Sequence, residues 1–219
     1  MNRPVHNLFY CFASIISALA NIHCSSTHSK MDNMNYSAKE IGDLGKKSIV
    51  KIAKELIIND CGEKIPDSYD ARVFARDSSV IVLFDLPIHF AAKNTAFYYG
   101  VSVDLISKSF SYMPIINTET EIEDSRHFPF YEPTKEDMKT IEFVLGGTTS
   151  FKKHKGLLNE KDETTTIIET DTFYDVESLS KSQSTRYKVD KVTGIRSEQR
   201  HRHIKTESLL HQGYSEIIK

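Results

Sequence analysis

Tryptophan is absent from the 219 residues, and there are only three cysteines, nine glycines and six prolines. Three cysteines cannot build the disulfide framework that holds many small secreted domains. So few glycines and prolines exclude long low-complexity linkers outside the N-terminal region. Charge of one sign is also missing, because 28 basic residues face 30 acidic ones for a net charge of -2. No global field therefore draws the chain to nucleic acid or to an anionic membrane. Catalytic motifs are lacking too. There is no G-x-S-x-G nucleophile elbow and no H-E-x-x-H zinc helix. "GDLG" and "LGG" read as a helix start and a helix stop rather than as a phosphate cradle. The remainder is an ordinary globular balance, 39% hydrophobic and 26% charged, long enough for one large domain or two small ones.

The first twenty residues carry a three-part export pattern. Arg3 gives a weakly positive start, Leu8 to Leu19 is an uncharged and mostly apolar run, and Ala18-Leu19-Ala20 is a small-residue cleavage site. The apolar run is short for a membrane span. The expectation is a signal peptide over 1–20, with a buried first helix or an uncleaved anchor as the alternatives. A lipoprotein reading through Cys24 lacks the small residue expected before it, since Asn21, Ile22 and His23 stand there. In an oxidising compartment Cys24 can pair with Cys61; the alternative is two free thiols.

Beyond a polar lead over 21–36, Ser37 and Glu40 have capping-box spacing. Apolar residues then recur at helical spacing, and the firm helix runs from about Lys46 to Asn59. "ARVFAR" alternates like a strand, Arg76 to Ser79 turns, and Val80 to Leu86 reads as a central strand ended by Pro87. "KNTAFYYGVSVDL" is the next strand, and "FSYM" starts another. Residues 117–132 are a connector, acidic and then aromatic. Thr134 caps a second helix with an apolar stripe of Met138, Ile141, Val144 and Leu145, closed by Gly146-Gly147. β-branched and aromatic residues dominate from 164 to 180, and "STRYKVDKVTG" follows as a strand and turn.

A shift of 86 positions superposes Val103-Asp104 on Val189-Asp190, Asp60 on Gly146, and Ser78–Asp85 on Thr164–Asp171. The order of elements repeats with it. The expected fold class is α+β, a helix packed on a curled antiparallel sheet, in two tandem units. These occupy 37–116 and 133–205, with 206–219 as a tail; one larger α+β domain is the alternative.

The stretch "YKVDKVTG" resembles the closing hairpin of the PepSY family. The segment "YYGVSVDLISKSF", following "SIVKIAKELII" and "VIVLFDLP", is similar to small immunity proteins of NTF2-like fold. A helix followed by a curled sheet resembles cystatin-like folds generally. The resemblance covers 47 to 111 and, more loosely, 133 to 200, through fold-level hairpin signals. It implies a non-enzymatic binding role in the cell envelope, inhibiting, neutralising or chaperoning a protein partner. The final strand "IRSEQRHRH" departs from the pattern, being more polar than a core strand, which makes the second unit open or partner-facing.

Within that strip Arg196, Arg200 and Arg202 suit an acidic protein partner, because the guanidinium fork pairs bidentately with carboxylates. The plainer reading is a charged edge that blocks sheet-to-sheet aggregation. His201 and His203 share a strand face, with Glu198 and His211 near in sequence, but the surrounding arginines disfavour a metal cation. In the connector, Phe128, Phe130 and Tyr131 beside acidic residues suit a recognition surface; the alternative is a linker whose rings tuck inward. Asp85, Asp104, Asp171 and Asp190 read as turn caps rather than paired acids. The expectation is an exported protein, periplasmic or secreted, that binds or neutralises a protein partner, without catalytic residue, metal, cofactor or nucleic acid. The partner-binding residues are Arg196, Arg200, Arg202, Phe128, Phe130 and Tyr131. A pocket protein or small enzyme of NTF2-like build is the alternative.

Overall fold

Ser37 and Glu40 form the expected capping box. The Ser37 backbone N–H donates to Glu40 Oε2 at 2.8 Å, and the Glu40 N–H donates to Ser37 Oγ at 3.3 Å. The computed structural model describes residues 37–119, 127–146, 164–180, 183–203, 209 and 212–218. The export pattern of 1–20, the lead of 21–36 and Cys24 of the candidate disulfide lie outside these residues. The capping box starts a single short turn of helix, α1 (Ala38–Gly42). Gly45, at φ 75°, resets the chain before α2 (Lys46–Cys61). The helical pattern that runs through Ile41 in sequence is thus broken at the glycine and resumes. α2 buries Ile49, Ala53 and Ile57, spaced four apart on one face. It ends at Gly62, left-handed at φ 77°, whose N–H donates to Ile58 O.

Four strands follow the sequence pattern closely: β1 (Asp70–Arg76), β2 (Ser79–Asp85), β4 (Thr95–Asp104) and β5 (Ser109–Asn117). They form an antiparallel sheet in the order β10-β1-β2-β4-β5, with β10 (Ser215–Ile217) on its edge. The register stacks Val73, Val82 and Val103 across three strands, and Ala71, Phe84 and Val101 beside them. This apolar face meets α2, and Tyr112 of β5 donates its hydroxyl to Asp60 Oδ2 at 2.7 Å.

The second sheet runs β3-β6-β7-β8-β9, from β3 (Ile88–Ala91), β6 (Thr164–Glu169), β7 (Phe173–Leu179), β8 (Gln183–Asp190) and β9 (Arg196–His203). β3 pairs with β6 in parallel and the other pairs are antiparallel. Ile167, Val176 and Tyr187 lie across adjacent strands and are buried. Helix α3 (Lys135–Val144) adds buried Ile141 and Val144, and its Phe143 ring meets Tyr174 edge-on at 6.3 Å.

The expected α+β fold, a helix packed on a curled antiparallel sheet in two tandem cystatin-like or NTF2-like units, is corrected by this architecture. Among the described residues 47% are strand and 21% helix, in two sheets and three helices. The reason is that strand pairing, not helix packing, organises the chain. β3 leaves its neighbours β2 and β4 and pairs 77 residues away, through His89 and Thr166. β10 returns from the far end of the chain to edge the first sheet.

The 86-residue shift is nonetheless visible locally. β4 ends at Asp104 and β8 at Asp190. Each aspartate accepts backbone N–H bonds two and three residues on, from Ile106 and Ser107 in one case and Val192 and Thr193 in the other. Lys108 and Gly194, also 86 apart, both take positive φ, 54° and 69°.

Candidate functional site

The arginine strip is strand β9, and β9 is an edge of the second sheet. All eight of its residues are exposed. Its hairpin with β8 closes through Asp190, whose Oδ1 accepts from Val192 N, Thr193 N and Thr193 Oγ1 at 3.0, 2.7 and 2.8 Å. Those bonds, the Thr193 N–H foremost, hold the Asp190 carboxyl below its ordinary range. The register slips between Arg186 and Lys188, and Glu198 opposite takes φ 53°. This is a bulge of the kind that twists an edge strand.

The three arginines do different things. Arg196 is tied inward: its Nη2 donates to Leu145 O at 2.9 Å, and its guanidinium lies 4.8 Å from the Tyr187 ring centroid. Burial raises the Tyr187 phenol and Arg196 pulls it back. Arg200 stands directly opposite Arg186, an arrangement that costs stability between like charges. Arg186 is compensated by Asp175, through Nε–Oδ1 at 3.1 Å and Nη2–Oδ2 at 2.6 Å. Lys188 pairs with Glu198 at 2.7 Å; Lys188 first, then Arg200, holds that carboxyl below its usual range. Arg202 stands opposite Ser184. Arg200 and Arg202 form no ion pair among the described residues. Across β7, β8 and β9 the five cations Arg186, Lys188, Arg196, Arg200 and Arg202 stand against four carboxylates, Asp175, Glu177, Asp190 and Glu198.

On the other face His201 Nδ1 lies 3.1 Å from both Thr185 Oγ1 and Gln183 Nε2, and His201 Nε2 lies 3.2 Å from Gln199 Nε2. Both ring nitrogens thus have polar side-chain neighbours on the strand pair. His203 stands opposite Gln183, and His211 lies outside the described residues.

The aromatic connector is placed elsewhere, against β4. β2 gives way at Pro87, so the edge of β4 below Gly100 is open. Segment 129–131 fills it, with Tyr98 N donating to Pro129 O and Tyr131 N to Tyr98 O, both at 2.9 Å. Phe130 and Tyr131 are buried, each 7% exposed, and Phe128 is half-buried. Phe128 and Phe130 gather around Tyr98, while Tyr131 stacks on Phe97 at 4.4 Å. The acids Glu121, Glu123 and Asp124 lie outside the described residues.

Sequence reasoning missed a polar junction centred on Glu169. Its carboxylate accepts from the Lys93 N–H at 3.0 Å and from Lys191 Nζ at 2.7 Å. Burial pushes that carboxyl up, but Lys191 and the Lys93 N–H outweigh it and hold it below its ordinary value. Lys93 also pairs with Asp171, and Asn117 Nδ2 reaches Ala91 O, Ala92 O and Glu169 O at 2.9 to 3.0 Å. A cleft of about 210 Å³ lies among these groups. The junction ties the β3–β4 turn and the end of β5 to the turns of the second sheet. The only signal for it in the sequence is an acid ending the otherwise uncharged "TTTIIE".

Compared with known protein families, curated proteins and solved structures, the chain shows no significant match to any.

Proposed function

We propose that this is an exported, non-enzymatic binding protein that engages an acidic protein partner along β9. The observation that carries the reading is an eight-residue edge strand whose residues are all exposed, and which among the described strands pairs only with β8. Such a strand adds little to the core and leaves a row of backbone groups open on its outer side. An extended or strand-like segment of a partner can pair there by sheet augmentation, with Arg200 and Arg202 reading its carboxylates. Arg200, opposite an Arg186 that Asp175 already engages, makes no ion pair among the described residues, which supports a surface whose anionic counterpart arrives from outside. Export rests on the Arg3, Leu8–Leu19 and Ala18–Ala20 pattern and places the encounter in the periplasm or outside the cell. Neutralising or inhibiting the partner is the role that fits a chain in which Ser, His and Asp form no recognisable nucleophile arrangement in sequence.

The test is recovery of a stoichiometric partner from an extract of the source, using tagged chain beginning at Asn21. The expected partner dissociates with rising salt and is lost with Arg200→Glu/Arg202→Glu. A partner retained unchanged by that double variant overturns the assignment of β9, and recovery of none at any salt overturns the binding role.

A further inference from the structure

The β8–β9 turn carries two of the most exposed aliphatic side chains among the described residues, Val192 at 89% and Ile195 at 66%. The turn does not use them. Its bonds come from Asp190 Oδ1, Thr193 Oγ1 and the backbone, including Asp190 N to Ile195 O at 3.0 Å and Ile195 N to Thr193 Oγ1 at 3.3 Å. Nor is the turn loosely held. Arg196 Nη2 donates to Leu145 O at 2.9 Å, and a Cβ on Gly194 would lie 3.4 Å from the Phe143 ring. An aliphatic group on a braced turn gives up little entropy when a partner covers it.

Ile195 shares a face of the sheet with Arg200 and Arg202. On β8, Ser184, Arg186 and Asp190 are an even number of residues apart and so point to one face. Opposite them stand Arg202, Arg200 and Ile195. The bulge shortens β9 between Ile195 and Arg200. Their separation is therefore that of Asp190 from Arg186, four residues or about 13 Å of extended chain. The other charged groups on this face are already engaged. Asp175 holds Arg186, Glu198 holds Lys188, Glu177 accepts from Ser184 Oγ, and Asp190 closes the turn. The outer edge thus presents an apolar end, a satisfied middle and a cationic end in one line.

We propose that the segment received by β9 is an extended protein strand bearing two acids spaced two apart and a large aliphatic residue four positions beyond them. The acids pair with Arg202 and Arg200, and the aliphatic side chain covers Ile195, with Val192 at its far end. In antiparallel pairing, the direction β9 already takes with β8, such a segment reads Asp-Thr-Asp-Thr-Thr-Thr-Ile. This inference rests on the reading of β9 as a docking edge and adds the apolar contact and its spacing. A polyanion without apolar groups would engage the arginines and leave Ile195 uncovered.

That peptide, capped at both ends, can be titrated into the chain and followed by NMR. One control carries Thr in place of Ile, and another carries Asn in place of both Asp. The full peptide is expected to bind first, with a Kd of about 1 mM, and each control about fivefold or more weakly. Ile195→Ser should weaken the full peptide about fivefold and leave the Thr control unchanged. The urea midpoint should not move, because the side chain is exposed and the backbone bonds remain. Equal binding of the full peptide and the Thr control, or a full peptide indifferent to Ile195→Ser, overturns the inference and leaves an acidic partner at β9 standing. Equal binding of the Asn control overturns both. A full peptide that does not bind at about ten times the expected Kd also overturns the inference, while recovery of the natural partner with and without Arg200→Glu/Arg202→Glu judges the docking edge separately.

Discussion

Gly100 shows how one residue sets the geometry of the first sheet. A Cβ at this position would stand 2.9 Å from Phe84 O and 3.0 Å from Met113 Sδ. The methionine sulfur can swing away, but the carbonyl belongs to the β2–β4 ladder and cannot. Gly100→Ala is therefore expected to cost about 1–3 kcal/mol, measured as a fall in the urea midpoint. His89 is the second decisive residue. It is fully buried, stacked on Tyr99 at 4.4 Å, and bonded to Leu86 O at 3.2 Å and Thr166 Oγ1 at 2.8 Å. Burial lowers its pKa from 6.5 to about 4, against the opposing pull of the Leu86 carbonyl. The unfolded chain therefore takes up the His89 proton first as pH falls. The stability due to the neutral ring is complete above pH 6.5 and is lost as pH drops toward 4. Between about pH 7.5 and pH 5 the wild type should lose about 2 kcal/mol more than His89→Gln, measured by urea unfolding. Equal losses would show that the ring is not held neutral by the fold.

At the scale of elements, the two Asx-closed hairpins can be compared directly. Gly194 accepts its positive φ without strain, but Lys108, 86 residues earlier, holds φ 54° with a side chain. A left-handed non-glycine residue is strained by about 1 kcal/mol. Lys108→Gly should thus raise stability by about 0.5–1 kcal/mol, net of the entropy that glycine adds to the unfolded chain. A lowered urea midpoint would show that the lysine side chain contributes more than the strain costs. These turns were legible in sequence because their chemistry is local: an aspartate, two residues, then a hydroxyl. α2, β2 and β4 were legible because their periodicity or apolar run is long. β3 was not, since Ile88-His89-Phe90-Ala91 is too short to show a period and its partner is distant in the chain. With no element assigned to 88–91 in sequence, a self-contained helix-plus-meander looked complete. In the candidate site, the polarity of β9 was legible residue by residue. An inward turn of the connector's rings was one of the two sequence readings, but where Phe130 and Tyr131 go was not legible, because it depends on the open edge that β4 offers below Gly100.

For the whole molecule, charge is distributed unevenly on a nearly neutral chain. The net charge is only -2, yet strands β7 to β9 carry five cations against four carboxylates, and two of the cations, on β9, have no ion pair among the described residues. The Glu169 junction holds that sheet to the β3–β4 turn through Lys93, Lys191 and Asn117. The basic edge is therefore presented by a braced sheet rather than by a loose hairpin, which lowers the entropic cost of ordering it on binding. The proposed attraction to an acidic partner is between exposed charges, so it should weaken steeply with ionic strength. The most direct measurement is the affinity of the purified partner for the wild type and for Arg200→Glu/Arg202→Glu, at low and high salt, with the fold monitored by urea unfolding. The account predicts a loss of about 2 kcal/mol or more in binding at low salt, a smaller difference at high salt, and stability unchanged within about 0.5 kcal/mol. Equal affinities at every salt concentration, with the fold intact, would contradict it.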